Sequence, residues 1–467
     1  MKRIFYIFSS ICLWLQVMVV GASCRKFVDI PPAKNQLSTA TVFSDSADAT
    51  SAVLGIYEKA VTRYIIQQGE TVCTGLSGDE LQPNNLIYYP DDMQFYMDAI
   101  NPTNTTNRGL WLDGYSILYQ ANACIENLQA SAGLTTSCKN QLTGEAKFMR
   151  ALVFFHLTNL FGDIPLVTST SYTTNGVLPK APAEQVYQQM ITDLTDAQNL
   201  LAPAYPGTGK VRANAYAASA LLARVYLYHK QWADAEAAAS AVINCGLYSL
   251  EDNLNNVFLA NGRETIMQLM PVGPSAETPE GTLFIPSSPD DVPTYSINNY
   301  LLNAFEPNDL RKSSWLASNT VNGATYYYPF KYQFRTDNQA KNYYVLLRLA
   351  EQYLIRAEAR AQQGGSKITD AITDLNVIRS RAGLLPTTAG VQADVLSAIY
   401  HERQVELFVE SGHRWYDLKR TGQIDGVMGG GGVCAAKGGI WKHNRALYPV
   451  PFSELQLDQF LTQSPGY

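Results

Sequence analysis

Residues 345–384 read VLLRLAEQYLIRAEARAQQGGSKITDAITDLNVIRSRAGL, and after a short proline-bearing break residues 394–422 read DVLSAIYHERQVELFVESGHRWYDLKRTG. In the first segment Leu346, Leu349, Ala350, Tyr353, Ala357 and Ala361 recur at helical spacing, with Arg348, Glu351, Gln352 and Arg356 between them. That pattern predicts an amphipathic helix with one buried stripe. Gly364 and Gly365 end it, as glycine does at a helix C-terminus. Ile368, Ala371, Ile372, Leu375 and Ile378 then give a second stripe of the same period. Joined by a tight turn, the two helices form an antiparallel pair, and the alanines at 357, 359, 361 and 371 leave room for close approach.

The pair has a counterpart upstream. Within residues 213–243, Ala223, Tyr226 and Ala235 keep the small-aromatic-small spacing of a tetratricopeptide repeat, with His229, Lys230, Gln231 and Trp232 as the turn. The interval from Ala223 to Ala235 equals that from Ala359 to Ala371, the mark of an internal repeat. Further helices are read at 45–63, with Ala49, Val53, Ile56 and Tyr57 inward, and at 110–128, where Trp111, Tyr115, Leu118, Asn122 and Ile125 share a face. Two more lie at 144–166 and 181–201. Trp111 is read as a core residue on this spacing, and His156, among Phe154, Phe155 and Leu157, as a buried histidine. The fold class is therefore mainly α, with tetratricopeptide-like helical pairs as the scaffold.

Two stretches break the helical pattern. Residues 69–108 are rich in Asn, Pro, Gly, Asp and aromatics, and 246–342 lack regular periodicity apart from short extended pieces such as ETIMQLMPV. Long ordered excursions between helices tend to carry function. A loop-rich layer on the scaffold is expected to carry the ligand site. The glycine-rich run GVMGGGGVCAAKGG at 426–439 follows no strand and has no lysine and hydroxyl residue in the phosphate-loop positions, so nucleotide binding is rejected.

The N-terminus is a targeting segment. Lys2 and Arg3 precede the apolar run of residues 4–20, and Gly21, Ala22 and Ser23 lead to Cys24. Residues 1–23 read as a signal peptide, with Cys24 as the lipidated first residue of the mature chain. The apolar run is short for a full membrane span. Lipidation anchors stably, since each buried methylene contributes about 0.8 kcal/mol. Pro31 and Pro32 make the following RKFVDIPPAKNQLS an extended tether. The remaining cysteines, Cys73, Cys124, Cys138, Cys245 and Cys434, are odd in number and contain no CxxC, so no disulfide pairing is fixed. No zinc site is expected, because the five histidines are scattered away from them.

A formal charge of −6 and the lack of any Lys/Arg run argue against a nucleic-acid partner. No catalytic set is found. HERQV at 401–405 starts like a zincin helix but has Val405 where the second histidine belongs. Glu402, Glu406 and Glu410 fall on one helical face and are expected to pair with Arg403, Arg414 or neighbouring helices. No GxSxG elbow occurs. No enzyme activity, cofactor or metal is expected. The 28 tyrosines, against 17 phenylalanines, instead suit a surface that binds polar ligands, because tyrosine presents a ring face and a hydroxyl together. Two loop regions combine such rings with amides: Asn84, Asn85, Tyr88 and Tyr89 with Phe95 and Tyr96, and Tyr295 with Asn298, Asn299 and Tyr300. Tyr326, Tyr327 and Tyr328 form a third.

Three blocks, RLAEQYLIRAEARAQQG at 348–364, LNVIRSRAGL at 375–384 and ERQVELFVESGHRWYDLKRTG at 402–422, resemble the SusD/RagB family of nutrient-binding outer-membrane lipoproteins. EAKFMRALVFFHLTNLFGDIPL at 145–166, the tether, and the ending ALYPVPFSELQLDQFLTQSPGY at 446–467 extend the resemblance to nearly all of residues 24–467. It implies a single body, with an N-terminal part at 24–245 and a C-terminal part at 246–467 whose loop-rich insert is 246–342. It also implies a cell-surface protein, lipid-anchored in the outer membrane through Cys24 and facing the exterior. Its partner would be a SusC-like TonB-dependent transporter, to which it delivers a captured oligosaccharide. A peptide ligand of the RagB type, or a tetratricopeptide scaffold without a nutrient ligand, are the alternatives. The resemblance carries over the loop regions as the ligand site, but no individual residue in them.

Overall fold

The computed structural model describes residues 39–84, 90–272, 277–337 and 341–467; the leader, Cys24 and the tether lie outside them. Helix α1 (Ser46–Thr62) begins where Asp45 Oδ1 accepts from Ala47 N at 2.8 Å, satisfying an amide that has no partner within the helix. Its buried stripe runs through Ala49, Val53, Ile56 and Tyr57, as the periodicity predicts. Helices α2 (Gln68–Ser77) and α3 (Pro90–Tyr96) follow, then two long helices, α4 (Thr105–Ala130) and α5 (Thr136–Phe161), capped by the side chains of Asn104 and Thr135. Trp111 is 3% exposed and meets Phe161 edge-on at 4.9 Å, a core residue as read. His156 is fully buried, with Nδ1 against Glu70 Oε1.

From α4 onward each helix packs on the next. α4 lies on α5, α5 on α6 (Ala183–Leu200), α6 on α7 (Ala215–Tyr228) and α7 on α8 (Trp232–Ile243). α8 then packs on α9 (Leu349–Gln363), which also contacts α10 (Lys367–Arg381) and α11 (Gln392–Glu406). The helical stack thus continues across residues 246–342, which leave it after α8 and return before α9. Ala223, Ala235, Ala359 and Ala371 have no exposed surface, the close approach their small side chains permit.

The excursion is sparsely regular. It holds β2 (Thr265–Leu269), β3 (Tyr295–Ile297) and a hairpin of β4 (Leu316–Val321) and β5 (Ala324–Pro329); β1 (Leu81–Pro83) precedes it and β6 (Tyr344–Arg348) ends it. The hairpin turns on Asn322 and Gly323, both at positive φ, the conformation a two-residue hairpin loop requires. β1 pairs antiparallel with β3, and β2 with β6.

Two sequence readings are corrected. Residues 69–108 are not wholly irregular: they contain most of α2, all of α3 and the start of α4. α2 escapes a periodicity search because residues 69–77 are buried on every side, Glu70, Thr71 and Thr74 included, so it has no polar face. The second concerns the three glutamates. α11 ends at Glu406, and Glu410 lies in the turn that follows. Neither Arg403 nor Arg414 serves them, but neighbouring helices do, as also expected: Arg379 of α10 donates to Glu402 at 3.2 Å and Arg381 of α10 pairs with Glu406. Arg348 Nη1 donates to Glu406 Oε1 at 2.6 Å and its Nε to Glu410 Oε2 at 2.8 Å. Arg311 Nη1 donates to Glu402 at 2.6 Å and Glu406 at 3.0 Å. Arg403 instead holds Asp417 at 2.7 Å, and Arg414 holds Asp79 at 2.6 Å. Adjacent residues of a helix point about 100° apart, so Arg403 cannot serve the face of Glu402.

The turn between α11 and α12 (His413–Arg420) is strained: Val409, Ser411 and Gly412 all have positive φ, a costly state for a β-branched valine. Buried polar groups hold it. Lys331 Nζ donates to the carbonyls of Glu406 at 2.9 Å and Phe408 at 2.8 Å, and Glu80 Oε1 accepts from Val409 N at 2.9 Å. Burial pushes the Glu80 carboxyl up from 4.5 to about 8. Below pH 4.5 the group is protonated whether the chain is folded or not; between 4.5 and 8 only the unfolded chain releases the proton. Stability therefore falls across that window and levels above it. Glu80→Gln keeps the acceptor for Val409 N and removes the ionisation. It should flatten the decline and raise the urea midpoint at pH 8. A steeper decline in the variant would refute this.

Candidate binding cleft

A cavity of about 750 Å³ opens where the end of α1 and the start of α2 face residues 271–272 and 277–294. Val61, Thr62 and Gln68 form one side. The other is the short helix Pro279–Phe284, whose N-terminus Thr278 caps by accepting from Gly281 N at 3.2 Å. Arg335, which also lines the cleft, clasps this helix: its guanidinium donates to the carbonyls of Thr282 and Ile285, and its own carbonyl accepts from Thr282 Oγ1 at 3.1 Å.

Gln68, Glu277, Ser287, Asp291, Thr294 and Arg335 give the cleft a polar lining, and Pro271, Pro279 and Pro286 add apolar ring faces. Ser287 Oγ donates to Asp291 Oδ2 at 2.7 Å. Glu277 Oε1 accepts from Lys341 N at 3.2 Å, while its buried Oε2 meets no donor among the described residues. Burial raises the Glu277 carboxyl above the ordinary carboxylate range. No cluster suited to a metal ion occurs among the described residues.

The wall at Thr294 is set by the pairing of β1 with β3. Asn84, just past β1, donates from N to Thr294 O at 3.0 Å and from Nδ2 to Pro293 O at 2.9 Å, and its Oδ1 accepts from Ser296 Oγ at 3.1 Å. Asn84, from the first stretch singled out in the sequence, is thus brought beside Tyr295 of the second, and β5 with Tyr326, Tyr327 and Tyr328 lies beside β3. Their side chains have different fates. Asn84 acts as a clip. Tyr295 is 4% exposed, with its hydroxyl on Asp92 at 2.5 Å. Tyr96 is half-buried beneath Lys437, whose Nζ stands 5.1 Å from the ring centre. Asn299 and Tyr300 are exposed at the start of the helix Asn299–Leu302, as is Tyr327 on β5. Asn85, Tyr88 and Tyr89 lie outside the described residues.

None of the expected residues that the structure describes lines the cleft itself. Its polar lining was missed, although the density of proline and polar residues at 271–294 marks the segment; the partners Gln68 and Arg335 carry no such signal.

Gly281 is where the cleft wall is most sensitive. A Cβ added there would stand 2.2 Å from Phe334 O, a backbone atom that cannot swing aside. Gly281→Val should push the short helix off Arg335 and cost about 1–3 kcal/mol as overpacking does. Far-UV circular dichroism should stay near wild type while protease sensitivity between residues 270 and 295 rises. Unchanged proteolysis would contradict the placement of this wall.

The open polar cleft thus lies between the ends of two scaffold helices and the insert. Comparison with known proteins places the chain. Residues 26–227 match the family model described as starch-binding associating with outer membrane, and residues 298–467 match that of the SusD family. The chain belongs to the SusD family. A SusD-like protein of Formosa agariphila is 25% identical over 95% of both chains. Among solved structures, a SusD superfamily protein from Bacteroides vulgatus superposes with a TM-score of 0.81 at 22% identity, covering 91% of this chain and all of that one. A laminarin-binding SusD-like protein superposes at 0.76 with 23% identity, over 90% of this chain and 99% of its own. At these identities the structural likenesses speak for the fold. Members of the family bind carbohydrate in association with the outer membrane. No helix among the described residues is long and apolar enough to cross a membrane.

Proposed function

We propose that the chain captures an oligosaccharide at the cell surface and passes it to a SusC-like TonB-dependent transporter in the outer membrane, held there by the lipid on Cys24. The observation that carries the reading is the cleft of about 750 Å³ with carboxylates, an amide and hydroxyls interleaved with proline faces. Sugar hydroxyls pair with the first set and sugar C–H faces rest on the second. Asn299 and Tyr300 on the adjoining loop are assigned as further contacts, and Asn84, Tyr96 and Tyr295 as residues that shape the layer around them. Asn85, Tyr88 and Tyr89 belong to the same expected contact region. Capture and delivery need no covalent step, so no catalytic role is assigned to any residue.

The test is native-gel retardation of the mature chain, started after Cys24, against laminarin, starch, xyloglucan, alginate and a peptide mixture. Retardation by a glycan is expected. Thr294→Trp, which fills the cleft, should reduce it at least tenfold, with a smaller loss in Tyr300→Ala. Both variants behaving as wild type would remove the site assignment. Retention of peptides alone would move the protein to the peptide-uptake alternative.

A further inference from the structure

A second concave surface shares no residue with the cleft. It is a groove of about 420 Å³ between α4, residues 165–176 and the short helix Phe452–Leu457 with its following turn. Trp111, Tyr115 and Tyr119 enter it from α4, spaced four apart on one helical face. The stripe that begins in the core therefore runs out into solvent: Trp111 is 3% exposed and Tyr119 is 56% exposed. Across from it Tyr172 is 85% exposed. The floor is fixed, since the Tyr115 hydroxyl donates to Pro165 O at 3.0 Å and Trp111 is braced by Phe161.

The polar groups of the groove have one character. Its charged lining residues are Glu454 and Asp458, and no Lys or Arg lines it. Asn175 commits its Nδ2 to Ser169 O at 2.8 Å and leaves its buried Oδ1 without a donor. Two carboxylates call for a ligand that donates hydrogen bonds, and they repel anions. The tyrosine rings call for a ligand with flat, weakly polar C–H faces. A pyranose unit has both properties. A uronic or sulfated sugar would add like charge.

We infer that this groove is a second glycan-binding site, specific for an uncharged sugar unit stacked between Tyr119 and Tyr172 with its hydroxyls on Glu454 and Asp458. It takes the glycan class from the function proposed above and adds a second hold on the same polymer. Two sites on one chain turn the second contact into an intramolecular event, so a polysaccharide long enough to reach both is retained far more strongly than a short oligomer.

The experiment is affinity electrophoresis in gels cast with laminarin, starch, xyloglucan or alginate. It compares wild type, Tyr119→Ala/Tyr172→Ala, Tyr119→Phe/Tyr172→Phe and the cleft-filling Thr294→Trp. The alanine pair should weaken retention by a neutral polymer about tenfold or more, and the phenylalanine pair should restore most of it by keeping the rings. Residual retention in Thr294→Trp that disappears when the alanine pair is added would also support the groove. If Thr294→Trp matches wild type while the alanine pair is weakened, the cleft reading fails and the groove stands. Wild-type retention in the alanine pair overturns the groove, as does retardation by alginate alone or by no neutral polymer. Unchanged glycan retention with loss of a copurifying outer-membrane barrel also overturns it, in favour of protein docking.

Discussion

Arg348→Met should lower the unfolding free energy by about 3–5 kcal/mol, the cost of leaving buried carboxylates without their cation. Arg348 ends β6 and reaches three glutamates: Glu406 at 2.6 Å, Glu410 at 2.8 Å and Glu264 at 3.3 Å. It also donates from Nη2 to the carbonyl of Glu406 at 2.8 Å. Methionine fills part of the volume but donates no hydrogen bond, so the loss reports the charge network rather than a cavity. The neighbouring arginines hold Glu406 well below the ordinary carboxylate range, and Arg348 with Lys331 lowers Glu410 likewise. A depressed carboxyl contributes stability above its unfolded value of 4.5, and that contribution is lost as the pH falls below it. Wild type should therefore lose stability steeply in acid, and Arg348→Met less steeply, so the two converge at low pH. Urea unfolding of the mature chain at pH 7 and at about pH 2, inside the window below 4.5 where the contribution is lost, measures both. A cost under about 1 kcal/mol at pH 7 would place the network among interactions that contribute little net stability.

Trp415→Ala should cost a similar amount, about 3–5 kcal/mol, for a different reason: it removes the largest side chain from the contact between α12 and α2. Trp415 has no exposed surface and meets Trp441 edge-on at 6.2 Å. The residues beside it complete the contact. Arg414 holds Asp79 just after α2, and the Tyr416 hydroxyl donates to Glu70, which His156 of α5 also faces. The urea midpoint should drop at an unchanged slope, since the surface exposed on unfolding stays the same. Trp415→Phe should recover a substantial part. A loss confined to a few tenths of a kcal/mol would mean that α12 does not close the core.

This contact also explains the block at 402–422. Asp417 accepts from Arg403 at 2.7 Å and from Arg420 at 2.7 Å, and Arg420 reaches Glu358 of α9 at 2.5 Å. The block that carried the resemblance closes the scaffold and contributes nothing to the cleft. The scaffold was legible in the sequence because helices that pack on one side leave a 3.6-residue stripe: the inward face of α1 could be named residue by residue, whereas at α9 Ala350, Ala357 and Ala361 are buried as read, Leu346 falls on β6, and Arg348, Glu351 and Gln352, read as the polar side, are buried as well. α2 was not legible, because a helix buried all round has no stripe. The candidate site was legible only as a region. Tyr295 and Tyr300 lie five residues apart in like surroundings, yet one is buried on Asp92 and the other is exposed. What separates them is the turn at Asn298, which accepts from Tyr300 N at 3.1 Å and redirects the chain. Gln68 and Arg335 become neighbours of residues 271–294 only through pairings that no local pattern encodes.

The clip at Asn84 joins residues 209 positions apart. Helical pairs such as α7 with α8 close over a few residues and form quickly, whereas closure across so long a segment is slow. The cleft wall, like the contact of α12 with α2, therefore forms after the local helical pairs. The N-terminal half alone can build helices but no cleft, since the opposite wall and the clasping arginine arrive more than two hundred residues later, after the β1 edge has waited for its partner.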